Sequence, residues 1–155
     1  MYAILDSLHS YNRYLLLAAM VFVLYRAYSG WLGNKAYVKA DNSASAALLG
    51  LTHLQLVLGL VLYFYSPLTT LARSNMGAAM KDSWQRYFGV EHLSTMVIAV
   101  VLIQLGRSLS KKAGDDTARF KKLAIYTTIA ALLIIGTLAS KGLLIGRTED
   151  VIPVG

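Results

Sequence analysis

Three histidines, His9, His53 and His92, are the residues of this chain best suited to chemistry, and each lies inside a long apolar stretch. Ionisable side chains at membrane depth are rare, and they usually face the interior of a helix bundle with a partner or a function. No histidine lies in the polar links, where a surface histidine would cost nothing. The distribution therefore predicts an intramembrane site for a metal or cofactor.

The helical rise gives the height of each histidine. His9 lies 17 residues before Arg26 and His92 lies 15 residues before Arg107, which places them about 25 Å and about 22 Å from the same end of a helical bundle. His53 falls about 18 Å from markers at both ends of its own stretch, about one helical turn lower. His9 and His92 are thus predicted to be level, toward the outer leaflet.

Two level imidazoles on different helices can hold one haem iron from opposite faces, because a porphyrin is a flat plate that fits between packed helices. A zinc ion needs a third or fourth ligand, which His53 or Glu91 could supply only after distortion. We therefore predict one haem per chain, with His9 and His92 as axial ligands. Met96 is an alternative ligand, one turn after His92.

His53 has two interpretations that the sequence leaves open. It replaces His9 or His92 as a ligand if the helices tilt by about 20°, or it is a core histidine hydrogen-bonded to Thr52, Gln55 or the last helix. Arg13 lies one turn after His9 on the same helix face. Because a buried guanidinium needs an anion, its predicted partner is either a haem propionate or Glu91.

The elements that must position these residues follow from composition. The 155 residues are 56% hydrophobic and 15% charged, with a mean hydropathy of +0.52. Four apolar runs, at about 8–32, 45–66, 87–106 and 121–141, approach the length of about 20 residues that a membrane-spanning helix needs. We predict an all-α integral membrane four-helix bundle that forms a single transmembrane domain, residues 1–155.

The charges predict its orientation. Nine basic residues fall on one side: Arg26, Lys35, Lys39, Arg107, Lys111, Lys112, Arg119, Lys121 and Lys122. Six fall on the other: Arg13, Arg73, Lys81, Arg86, Lys141 and Arg147. The excess predicts a multi-pass membrane protein with both termini on the outer, periplasmic side. Aromatic clusters at the ends of the runs, including Trp84, Tyr87 and Phe88, are interpreted as interfacial belts.

Several function classes lack support. Cysteine is absent, which excludes disulfides and thiolate sites. The net charge of +7 fits membrane orientation and indicates no nucleic-acid partner, since no separate basic domain or binding motif is present. No triad, phosphate loop or nucleotide fingerprint occurs. The second link, residues 66–86, is either an interfacial helix or an ordinary surface loop.

Four segments together resemble the short four-span bacterial membrane proteins labelled cytochrome b: His9–Leu15 (HSYNRYL), Gly30–Lys35 (GWLGNK), His53–Phe64 (HLQLVLGLVLYF) and Glu91–Met96 (EHLSTM). The resemblance covers nearly the whole chain. It implies a b-type haem protein of the bacterial inner membrane that acts in electron transfer, with one haem b per chain and with His9, His53 and His92 at the motif positions. Larger dihaem cytochromes b have two stacked histidine pairs, and three histidines cannot supply them.

The expected function is therefore electron transfer between a quinol or respiratory partner and an acceptor near the outer face. Any enzymatic activity would be haem or quinone oxidoreduction. Expected partners are membrane lipid, a quinone or redox protein, and either further copies of the chain or a larger complex. The alternatives are an accessory subunit of a respiratory complex without its own haem, and a proton relay through the histidines.

Overall fold

The computed structural model describes residues 1–146. Four long helices run at α1 Tyr2–Leu32, α2 Lys39–Tyr65, α6 His92–Lys112 and α7 Asp116–Ala139. Three short helices lie between α2 and α6, namely α3 Pro67–Ser74, α4 Met76–Ala79 and α5 Ser83–Arg86. A π-helical segment, Tyr87–Glu91, joins α5 to α6 without a break. No strand occurs in this part of the chain.

Four helices long and apolar enough to cross a membrane are confirmed, the third of them running continuously through Ser83–Lys112. Helices α2 and α7 begin before their apolar runs and α6 ends after its run, because polar residues form those terminal turns. In α2 the Asp41 carboxylate accepts a hydrogen bond from the Val38 amide at 2.9 Å. In α7 the Asp115 side chain accepts from the Ala118 amide at 2.8 Å. These caps satisfy backbone donors that the helix itself leaves unpaired.

The four long helices form an antiparallel bundle, in which α1 packs against α2 and α7, and α6 packs against α2 and α7. The buried stripe of α1 follows helical spacing and consists of Leu16, Met20, Val23 and Ala27. Large apolar side chains on the outward faces are exposed, among them Phe22, Val57, Ile98 and Leu132. An apolar exterior around a packed core is the arrangement expected of a bundle whose solvent is lipid.

Close contacts between helices depend on small residues. Gly30 of α1 packs against the ring of Phe120 on α7, so closely that a methyl group at residue 30 would overlap the ring. Gly106 of α6 faces Tyr126 of α7, and a Cβ atom added there would lie 2.7 Å from the Cβ of Tyr126. These glycines let the backbones approach each other, as small residues do in membrane bundles.

Polar contacts fasten the end of the bundle where α2 begins. Arg26 on α1 forms an ion pair of 2.7 Å with Asp41, whose side chain is 1% exposed. Arg107 on α6 donates to the Asn42 carbonyl at 3.0 Å and to the Ser45 hydroxyl at 2.5 Å. The three helices are thereby held in register at this end.

The link between α2 and α6, for which the sequence left a helix and a loop open, consists mainly of the three short helices α3, α4 and α5. One residue of the predicted aromatic belts, just after this link, is not interfacial. Tyr87 is 1% exposed and belongs to the core of the bundle, because its helix faces α7 at that point and its hydroxyl reaches the Thr137 carbonyl. Trp84 and Phe88 are half-buried and stack on each other.

Candidate functional site

The candidate site is a cavity of about 150 Å³ lined by residues of the four long helices α1, α2, α6 and α7 and of the link helix α3. A single water needs about 10–15 Å³ measured in this way, so the cavity has room for a larger ligand. His9, Arg13, His92 and Met96 line it together. Apolar side chains supply much of the remaining wall, including Leu16, Leu56, Leu60, Leu93, Val100 and Ile134.

The structure brings His9 and His92 together across this cavity. Their ring centres lie 6.4 Å apart, with an angle of 69° between the ring planes. An imidazole nitrogen binds a metal ion at about 2.0–2.1 Å and the ring centre lies about 1.1 Å behind it, so two rings opposed across one ion have centres about 6.3 Å apart. The observed separation of the ring centres is compatible with one ion between them, and Nε2 of His9 lies 3.1 Å from Gln55 Nε2.

A hydrogen-bond chain orients His92. The Tyr87 hydroxyl donates to the Thr137 carbonyl at 3.1 Å and lies 3.5 Å from Nδ1 of His92. Because the single hydroxyl proton is used on Thr137, the hydroxyl oxygen can only accept from Nδ1–H. A proton on Nδ1 would have this oxygen as its acceptor and would leave the lone pair of Nε2 for a metal ion, the arrangement typical of metal-binding histidines.

The π-helical segment Tyr87–Glu91 gives His92 and Tyr87 this relationship. The backbone N–H of His92 donates to the Tyr87 carbonyl, five residues earlier. The extra residue in the turn carries the Tyr87 side chain to the position from which its ring contacts the imidazole, with ring centres 5.5 Å apart. Single π-helical turns within α-helices occur frequently at functional sites.

His9 is held from α2. Gln55 Nε2 donates to the His9 backbone carbonyl at 3.0 Å and lies 3.1 Å from Nε2 of the ring. The Gln55 oxygen in turn accepts from Asn12 at 2.7 Å. Gly59, one turn further along α2, packs against the ring edge, where an added Cβ would lie 3.2 Å from Cε1 of His9. Nδ1 of His9 is buried and has no hydrogen-bond partner among residues 1–146.

Arg13 is a buried cation at the same cavity, 9% exposed. Its guanidinium donates to the Gly146 carbonyl at 2.5 Å and to the Tyr14 hydroxyl at 3.1 Å, and it lies over the Tyr14 ring. Its Nε atom is buried without a partner in the described part of the chain. Glu91, the protein partner considered for it, instead pairs with Arg86 at 2.7 Å, because the π-helical turn directs that carboxylate to the surface.

His53 is not brought to the site. It is exposed on the outer face of α2 and does not line the cavity. The two side chains considered as its partners point elsewhere: Thr52 donates to the Leu48 carbonyl at 2.7 Å, and Gln55 contacts His9. Met96 lines the cavity and also packs against the bundle core.

The sequence did not indicate that Asn12, Gly59 and Tyr87 shape the site. It named Gln55 only as a possible partner of His53. One signal could have found two of them. Thr52, Gln55 and Gly59 are spaced by three and four residues, which puts two polar groups and a gap on a single face of α2. No comparable pattern marks Tyr87, because its position depends on the π-helical turn.

Among residues 1–146, no group of three or more acidic or histidine side chains is placed to hold a bare metal ion. A closed zinc site of the usual four-ligand kind therefore has no donor set in this region. In comparisons with known proteins, no family model, no curated protein and no solved structure matches this chain.

Proposed function

We propose that this protein is a membrane-bound b-type haem protein that transfers electrons, with His9 and His92 as the axial ligands of one haem iron. The observation that carries the proposal is the 6.4 Å separation of the two imidazole centres on α1 and α6. The cavity between them and its largely apolar wall support the same assignment, since haem pockets in helix bundles are lined by side chains of facing helices.

The donor set fits one haem b per chain. Two imidazoles complete the axial coordination of haem iron, and the third histidine is exposed away from the cavity. The buried Nε atom of Arg13 fits a haem propionate, because a buried guanidinium is stabilised by an anionic partner. When bound, the haem supplies one-electron reduction and oxidation of its iron.

The chain's own residues then have separable roles. His9 and His92 hold the group, and Tyr87 orients His92. Arg13 places a positive charge at the site, which favours the reduced and therefore more negative state of any redox group beside it. The apolar wall formed by α1, α2 and α6 excludes water and so strengthens these electrostatic interactions.

The position of the cavity supports an acceptor near the outer face. Leu68 and Thr69 of α3 line it, and the count of basic residues assigns that link to the outer side of a bacterial inner membrane. The electron donor is then a quinol or a respiratory protein. Lipid surrounds the bundle, and the protein acts as a homo-oligomer or as a subunit of a complex.

A pyridine haemochrome assay on detergent-purified protein tests the proposal. The wild-type protein is expected to contain haem b and to give a reduced-minus-oxidised spectrum of b type. The double variant His9→Ala/His92→Ala is expected to lose the haem, because both ligands are removed. His53→Ala is the matched control, since the same substitution at an exposed histidine leaves the cavity intact.

Three outcomes would overturn the assignment: no haem in protein made with an ample haem supply, full haem content in the double variant, or equal loss in His53→Ala. The first outcome, together with co-purification of a large membrane complex, would instead support an accessory subunit without its own haem.

A further inference from the structure

His53 is a polar side chain on the outside of the bundle, halfway along a helix that is long and apolar enough to cross a membrane. It lies about 18 Å from both Asp41 and Tyr65, which are near the two ends of α2. Its side chain is exposed, whereas the neighbouring Thr52 and Gln55 line the cavity on the opposite side of α2. The proposed haem site therefore gives His53 no role.

An imidazole at this depth needs a hydrogen-bonding partner. Lipid chains supply neither a donor nor an acceptor, and ionisable residues within membrane helices almost always face a bundle interior, a water-filled cavity or a partner. Long side chains near helix ends avoid this cost by reaching the membrane surface, but a histidine about 18 Å from that surface is too short to do so. A protein surface that covers His53 is therefore expected.

The outward face of α2 around His53 is shaped for close contact with another helix. Residues spaced by three and four lie on one face of a helix, and here they are Ala46, Gly50, His53 and Val57. Gly50 is exposed, and a Cβ atom added to it would meet nothing within 4 Å. Ala47 beside it is also exposed. Small residues of this kind let the backbones of two membrane helices approach each other.

A second copy of this chain is the partner that fits this face. Copies inserted in the same orientation carry His53 at the same depth, and a two-fold axis along the membrane normal brings a residue of one copy to the same residue of the other. A neutral imidazole has one N–H donor and one lone-pair acceptor, so its partial charges are complementary to those of an identical ring. A different membrane protein would need a polar side chain at this depth, and such side chains are rare.

We propose that this protein forms a homodimer in the membrane through the outward faces of α2, with His53 hydrogen-bonded to His53 of the partner subunit. The contact covers the helix that the bundle leaves most open, since 11% of the apolar window of α2 is buried against 39% in α7. The cavity lies on the other side of α2, so both copies keep it unobstructed. The dimer needs no cofactor and goes beyond the proposed haem function.

Oxidative cross-linking of single cysteines in native membranes tests the contact, because the chain has no cysteine of its own. Gly50→Cys is expected to give a disulfide-linked dimer, since the small residues bring the two α2 backbones together. Ala46→Cys and Val57→Cys provide second positions on the same face. Gly136→Cys is the matched control, because Gly136 is also an exposed glycine with nothing within 4 Å of an added Cβ, but it lies on α7.

Energy transfer between donor-labelled and acceptor-labelled copies in lipid vesicles tests the role of His53. His53→Leu should weaken the association by about threefold to twentyfold, the effect of one hydrogen bond between membrane helices. His53→Asn should restore much of it, because a carboxamide also carries both a donor and an acceptor. Gly50→Leu should separate the two helices, whereas Gly136→Leu should leave the association unchanged.

The inference is overturned if none of the three α2 cysteines cross-links above Gly136→Cys, if wild-type copies show no energy transfer beyond random proximity, or if His53→Leu associates as strongly as the wild type. A complex of one copy with a different membrane protein on this face would also overturn it. Haem content, measured on the same preparations, is unaffected by these outcomes, so the proposed function survives them. Absence of haem from a dimeric wild-type protein would refute the proposed function alone.

Discussion

Replacing Tyr87 by phenylalanine removes one hydroxyl from a side chain that is 1% exposed. That hydroxyl donates to the Thr137 carbonyl at 3.1 Å and lies 3.5 Å from Nδ1 of His92. The Thr137 carbonyl keeps a second donor, the Ser140 hydroxyl at 2.7 Å. The group left without a partner in Tyr87→Phe is therefore the Nδ1–H of His92.

The size of the effect follows from these contacts. Leaving a buried donor unsatisfied costs about 1–3 kcal/mol, so the free energy of unfolding should fall by about that amount. Loss of the group that orients a metal-binding histidine also lowers metal affinity by about 10–100-fold. On the proposed function, haem affinity should fall within that range.

Two measurements on detergent-solubilised protein check these values: denaturant unfolding without haem, and haem titration followed by absorbance. Tyr126→Phe is the control, since it makes the same change at a half-buried tyrosine of α7 that packs on Gly106, away from the cavity. If Tyr87→Phe and Tyr126→Phe unfold at the same denaturant concentration and bind haem equally, the hydrogen-bond chain to His92 has no energetic role, and the argument from it is refuted.

Two further predictions concern the bundle itself. Gly30→Ala should destabilise the protein by about 1–3 kcal/mol, the usual cost of overpacking, because the added methyl group overlaps the Phe120 ring. Gly50→Ala, where an added Cβ meets nothing within 4 Å, should leave stability unchanged or slightly raised; equal effects in the two unfolding curves would contradict the close α1–α7 contact. For orientation, single cysteines in this cysteine-free chain should react with a membrane-impermeant maleimide in intact cells at Ser74→Cys and not at Ala36→Cys. The reverse labelling would show that the basic-residue count assigns the sides wrongly.

Much of the fold could be predicted from the apolar runs. A stretch of that length without strand-like alternation has few alternatives to a membrane-crossing helix, and four helices long and apolar enough to cross a membrane are present. The ends of these helices were predicted less accurately than their number. Lys39 and Asp41 extend α2 before its apolar run because Asp41 caps the helix and pairs with Arg26, and hydropathy does not register such contacts.

The candidate site was predicted in part. Helical rise placed His9 and His92 at one level, and the structure brings their rings to 6.4 Å. The same reasoning gave no orientation for α2, on which His53 and Gln55 are two residues apart. Two residues correspond to about 200° around a helix, so only one of the pair can face the cavity, and in the structure it is Gln55.

By itself the sequence determined the number of long apolar helices and the height of each polar group along them, because apolar length and helical rise are properties of single segments. Tertiary structure decided which face of each helix meets its neighbours. As a result, the Tyr87 hydroxyl contacts the His92 ring and Gln55 contacts the His9 ring. Glu91 forms its ion pair with Arg86 and does not reach Arg13. Those partners depend on the rotation of each helix about its own axis and, for Tyr87, on one π-helical turn. Local spacing fixes neither, since both are set by packing between residues far apart in the chain.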